Sequence, residues 1–282
     1  MRKKNRLLLA FIWIYCVVIG STFAQYSTSN DSLFVTYLLE KKYYNDVLHW
    51  TQHRQTLPYH RGLAFYNQQQ LDSAIHYFEQ VPISHQSYVK AKFLQGFGYT
   101  YLQRYPLANR VLARLHTSDT LYLALQNFQR AGIALLHRDV PLFDSLQKSF
   151  AGKYFAFSQE EDKLTQHAQL IRTHRRKAPV VAALLSTIVP GSGKIYAGKT
   201  GQGVITLIQN LALGLQAYEA YRRDGWKSPR FLIYGGLFTF FYVGNIWGSS
   251  LSIHIRNQEF NDKVNQQILF NMQVPIRAVF NQ

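Results

Sequence analysis

Cysteine is almost missing from this chain of 282 residues: Cys16 stands alone. It has no partner for a disulfide, and the Cys/His spacings of a zinc site are absent, so a disulfide-stapled or zinc-held fold is excluded. Acidic residues are also scarce, 15 against 31 Lys plus Arg, which leaves a formal net charge of +16. Charged residues of both signs make up only 16% of the chain, against 47% apolar, which excludes a disordered chain. What is abundant is aromatic: 42 residues are Phe, Tyr or Trp. The composition leaves a globular or membrane-associated protein whose basic excess has to be located.

The N-terminus has three parts. Arg2, Lys3, Lys4 and Arg6 form a basic start, Leu7 to Gly20 carries no charge, and small residues lead to Thr22-Phe23-Ala24-Gln25. This order predicts a secretory signal peptide over residues 1–24, cleaved after Ala24. The uncharged run is short for a membrane span of about 20 residues. Tyr15 before Cys16 argues against a lipoprotein signal. The mature chain would then hold no cysteine, which removes thiol redox chemistry.

Charge is uneven along the rest. Residues 25–170 carry 14 basic and 11 acidic side chains, whereas 171–282 carry 13 basic and 4 acidic. The basic residues of the second half flank apolar runs: Arg172, Arg175, Arg176 and Lys177 precede one, and Arg222, Arg223, Lys227 and Arg230 separate two others. That placement suits membrane topology and anionic headgroups, and it argues against nucleic acid as a partner.

An internal repeat lies between residues 58 and 116. Gly62, Phe65, Leu71, Ala74 and Phe78 recur 34 residues later as Gly96, Tyr99, Tyr105, Ala108 and Leu112. The spacing Gly-x2-aromatic-x8-Ala-x3-apolar predicts two antiparallel helices that approach closely at the Gly and the Ala. Weaker copies are expected upstream, through Leu38, Leu39, Tyr43, Tyr44, Val47 and Trp50. Downstream, Phe128, Ala131, Gly132 and Leu135 suggest another first helix, with Leu142, Phe143 and Leu146 in its partner. The period and pattern resemble the tetratricopeptide repeat. Arg61 and Gln95 stand where that family usually has Leu, and its closing Pro is absent. The resemblance implies an all-α solenoid over residues 25–150 whose concave face binds other proteins.

A charged connecting helix is expected over 151–177, and a helical membrane domain of two to three apolar helices over 178–262, with a tail at 263–282. Ala178 to Ala197 is broken by Pro190-Gly191-Ser192-Gly193-Lys194. Gly203 to Tyr221 is apolar apart from Gln209, Asn210, Gln216 and Glu219. Phe231 to Ile253 has 23 residues and no charge, about 34 Å as a helix. Two spans, Gly203 to Tyr221 and Phe231 to Ile253, would put the basic Arg222 to Arg230 loop in the cytoplasm, as the positive-inside rule prefers. Three spans would export that loop. Gln209, Asn210 and Asn245 would lie at membrane depth and hydrogen-bond between helices, and Glu219 would pair with Arg222 or Arg223. Gly244-x3-Gly248 offers a contact for a second copy. The stretch Ser186-x3-Pro190-Gly191-x-Gly193-x2-Tyr196-x-Gly198, then Gly201-x-Gly203, resembles bacterial two-transmembrane hairpin domains. It is similar also to a domain of unknown function that follows tetratricopeptide repeats in bacterial envelope proteins. That resemblance implies no chemistry for these residues.

Two catalytic look-alikes fail. Gly191-Ser192-Gly193-Lys194 mimics the end of a phosphate-binding loop, but Ile188 and Ile195 occupy places that need Gly and Ser or Thr. His49 and His53 share a helical face without a third metal ligand. With no catalytic, cofactor or metal constellation, the expectation is a non-enzymatic scaffold of the bacterial envelope, anchored in the inner membrane with its repeats outside the cytoplasm. The rival expectation is a membrane module active in transport or in membrane-protein insertion.

Overall fold

The computed structural model describes residues 31–52, 57–150 and 152–280. The expected signal peptide, and His53 of the histidine pair, lie outside them. Among the described residues there are thirteen helices and no strand. The chain forms two compact units, Met1–Gln166 with Ile268–Gln282, and His167–Gln267.

The first unit is built from helical hairpins: α1 (residues 31–40) with α2 (Tyr44–Trp50), α3 (Pro58–Asn67) with α4 (Leu71–Glu79), α5 (Tyr88–Tyr101) with α6 (Tyr105–Ala113), and α7 (Thr120–Leu136) with α8 (Val140–Gln147). Consecutive helices pack on one another from α2 to α8. Proline helps to set where they begin. Pro58, Pro106 and Pro141 sit in the first turn of α3, α6 and α8, where a missing amide leaves no hydrogen bond unmade. Asp119 and Asp139 cap α7 and α8 through their carboxylates.

All four hairpins turn through the same link of three residues. Its middle residue is left-handed each time: Lys42 (φ 62°), Gln69 (62°), Gln103 (59°) and Arg138 (63°). The following amide returns to the carbonyl five residues back, Tyr43 to Leu38, Gln70 to Phe65, Arg104 to Tyr99 and Asp139 to Ala134, at 2.8–2.9 Å. This hydrogen-bond pattern closes a helix end and reverses the chain. Counting from that middle residue puts Val35, Gly62, Gly96 and Ala131 in one equivalent position, seven residues before it. Val47, Ala74, Ala108 and Phe143 share another, five residues after it, and all eight are buried. The fourth hairpin therefore aligns on Ala131, with Gly132 one residue past the position that Gly62 and Gly96 hold.

The second unit holds α10 (Pro179–Ile188), α11 (Ser192–Tyr196), α12 (Thr200–Asp224) and parts of two helices shared with the first unit, α9 (Ser158–Thr173) and α13 (Pro229–Phe280). Among the described residues α13 alone is long and apolar enough to cross a membrane; α10 is apolar but short. The expected span Phe231 to Ile253 lies inside α13. The expected span Gly203 to Tyr221 lies in α12, which has the length but falls short in apolarity. The segment expected as a tail continues α13 without a break to Phe280.

Candidate functional site

The Pro190–Gly193 turn is the most constrained point of the second unit. Gly191 has φ 89°, a conformation that side chains disfavour, and a Cβ there would lie 2.1 Å from the carbonyl oxygen of Gly203. A Cβ on Gly193 would lie 2.1 Å from the carbonyl oxygen of Ala182. With the glycines admitting this approach, a polar knot forms around the turn. Asn245 Oδ1 accepts from the Gly191 amide at 3.1 Å. Ser186 Oγ accepts from the Gly193 amide at 3.0 Å and donates to Ser249 Oγ at 2.7 Å. All three side chains are shut away from solvent. Below the turn, Lys194 Nζ donates to Thr206 Oγ1 at 2.9 Å. Lys177 donates to the Tyr196 carbonyl and lies over its ring, while Arg256 donates to the Ala197 carbonyl beside Gly198.

The three polar residues expected at membrane depth divide. Asn245 bonds across to the turn. Asn210 is buried but donates to Thr206 of its own helix, and Gln209 is exposed. Asn210 Oδ1 and Asn245 Nδ2 are buried without a partner. Glu219 pairs with Arg223 at 3.2 Å and with Arg230 at 3.8 Å. Gly244 faces nothing within 4 Å, and Gly248 has only the Lys194 stem at 3.9 Å. Ser249 and Thr206 were not singled out from the sequence. The signal was there for the first, since Asn245, Ser249 and Ser252 form a polar stripe at helical spacing.

Around this knot the unit is apolar outward. Ile188, Ile205, Leu211, Phe240 and Trp247 are 60–80% exposed, while Ser186, Asn210, Asn245 and Ser249 are at most 3% exposed.

In the first unit the repeat residues meet in pairs. Gly62 faces Phe78 and Ala74, and Gly96 faces Leu112, in each case so closely that a Cβ would need the neighbour to move. Phe65 stacks on Tyr77, and the carbonyls of Phe65 and Tyr99 close their hairpin links. Gly132 does something else: it makes room for Met272 of α13, whose sulfur would lie 2.4 Å from a Cβ. The last stretch of α13 is seated against the first helices of three hairpins. Ile268, Met272 and Ile276, four residues apart, are fully or almost fully buried. Gln129 Nε2 donates to the Met272 carbonyl at 2.6 Å, and Lys90 Nζ to the Phe280 carbonyl at 3.1 Å. The Phe280 ring packs between Phe93 and Tyr122. Tyr66 hydrogen-bonds Gln273, and burial pushes its phenol up to about 12. Burial likewise pulls the Lys90 amine down. Pro275 lies inside this unbroken helix and supplies no backbone amide to it.

Among the described residues no three His, Cys, Asp or Glu are grouped to hold a metal. No protein-family model and no solved structure matches the chain. An uncharacterized protein of Methanocaldococcus jannaschii is 36% identical over 56 residues, which are 20% of this chain and 54% of that protein. The match thus spans about half the length of that relative.

Proposed function

We propose that the protein is a non-enzymatic scaffold of the bacterial envelope, held in the inner membrane by residues 178–262 and presenting tetratricopeptide-like hairpins outside the cytoplasm to bind other envelope proteins. The observation that carries the membrane half is the reversed polarity of the second unit, with Ser and Asn inside and Ile, Leu, Phe and Trp outside. Water penalises that surface, and lipid accepts it while favouring internal partners for polar groups. Reversed polarity also supports α12 as a second span, since Asn210 and Thr206 face inward, although Gln209 and Gln216 are exposed. The binding half rests on the four hairpins in one register and on the seat that already holds a helix. A partner must use another face or replace residues 268–280.

The test is alkaline carbonate extraction followed by crosslinking pull-down from intact membranes. The scaffold reading expects the chain to stay in the pellet and to capture envelope proteins that Gly62→Leu, in the hairpins, no longer captures. Release by carbonate would sink the membrane half. Capture indifferent to the hairpins would sink the binding half.

The second reading, a membrane module active in transport or insertion, is favoured by the two unpartnered amide atoms of Asn210 and Asn245. Replacing both residues with Leu separates the two: a scaffold keeps its partners and its cellular role, whereas a conduit loses the role while still capturing partners.

A further inference from the structure

We propose that the α12–α13 turn carries a binding site for one anionic phospholipid, its headgroup on Arg222 and Lys227 and an acyl chain in the groove beside Gly235 and Gly236; the proposal rests on the membrane reading above. Glu219 and Asp224 are the acids of this turn, and both are engaged by Arg223 or Arg230. Arg222 and Lys227 are exposed and lie over the rings of Tyr218 and Trp226, 5.9 and 5.0 Å from the centroids. They remain available to a phosphate.

Between α12 and the first turns of α13 lies a groove of about 670 Å³ lined by Ala217, Phe231, Leu232, Gly235, Gly236 and Phe240, among others. That is the size range of a small-molecule site. Gly236 would place a Cβ with nothing within 4 Å, and Gly235 would touch only the Phe231 ring at 3.7 Å. The hydroxyl of Thr239, which also lines the groove, already donates to the Gly235 carbonyl, so the groove asks for no polar ligand group. At 1.5 Å per residue the glycines lie about 8 Å along α13 from Arg230, the depth at which the first methylenes follow a headgroup. The positive-inside preference puts this turn at the cytoplasmic leaflet, whose surface is anionic.

The experiment is native mass spectrometry of the full chain in detergent, with phosphatidylglycerol and phosphatidylcholine of identical acyl chains. We expect one phosphatidylglycerol retained about tenfold better than phosphatidylcholine. Arg222→Gln with Lys227→Gln should erase that preference. Gly236→Leu, which fills open space on a helix, should remove the adduct while the chain keeps its helicity. Equal retention of both lipids, or a full adduct on Gly236→Leu, overturns the proposal. So does a dimer that Gly236→Leu converts to monomer, because the groove then belongs to a second copy. A chain that carbonate strips from membranes fails the membrane reading itself, whereas one that stays in the pellet without a lipid preference fails this proposal alone.

Discussion

In the hairpin unit the largest side chains shut away from solvent include Phe78, Phe93, Phe128 and Phe143; in the second unit Ser186, Ser249, Asn210 and Asn245 are shut away beside Ala182 and Ile253. The same chain therefore uses two packing rules. In the hairpins, apolar burial supplies the driving force. In the second unit, apolar side chains face outward, and close backbone approach with internal hydrogen bonds holds the helices. The difference teaches which contacts to break. A hole or an overpacked position should hurt the hairpins, and a lost close approach or polar bond should hurt the second unit.

The largest effect is expected at Gly193. A methyl there meets the Ala182 backbone, which cannot step aside as a side chain can. Gly193→Ala should cost more than about 4 kcal/mol, read as unfolding about 10 °C lower in detergent. An unchanged transition would mean that the turn is not the unit's close-packed point.

Next comes acid sensitivity in the hairpins. Burial, with His85 adding to it, pulls His60 down from 6.5 to about 4. Between those values the unfolded chain binds a proton that the folded one refuses. Stability is therefore full above about pH 6.5, falls as the pH drops toward 4, and loses no more to this group below that. The whole step is at most about 3 kcal/mol. Urea midpoints of the hairpin unit at pH 7.5 and 4.5 should differ accordingly, and His60→Gln should flatten most of the slope. A His60→Gln chain with the wild-type slope would move the cause elsewhere.

Gly132→Leu tests the seat of the C-terminal helix. It should cost about 1–3 kcal/mol and speed amide exchange in 268–280 more than in α3 to α6. Uniform loss of protection would make the segment ordinary core. The smallest effect runs the other way: Gln103→Gly relieves a left-handed side-chain residue and should stabilise the hairpins by about 0.5–1 kcal/mol. A destabilised variant would show that the Gln103 side chain holds the link in some other way.

The middle two hairpins were legible because the same close approach is solved by Gly in both, at Gly62 and Gly96. The outer two were blurred because Val35 and Ala131 fill the equivalent position, which drew attention to Gly132 one residue on. Their common link went unseen because left-handed positions usually announce themselves as glycine, and here they are Lys, Gln, Gln and Arg. The turn at Pro190 to Gly193 was readable from its punctuation. The seat of residues 268–280 was not, since it joins Lys90 to Phe280 across most of the chain.

That docking also sets a parity. Met1–Gln166 and Ile268–Gln282 belong to one folded body, so the 101 residues between them leave it and come back to it. A membrane crossed an odd number of times would strand the last helix on the far side from its hairpins. Any span formed by α13 must therefore be matched by another, and α12 is the helix with the length to match it. The returning helix makes topology a matter of arithmetic: if α12 and α13 both cross, an inserted third crossing would cost the protein the seat of Met272 as surely as deleting residues 268–280.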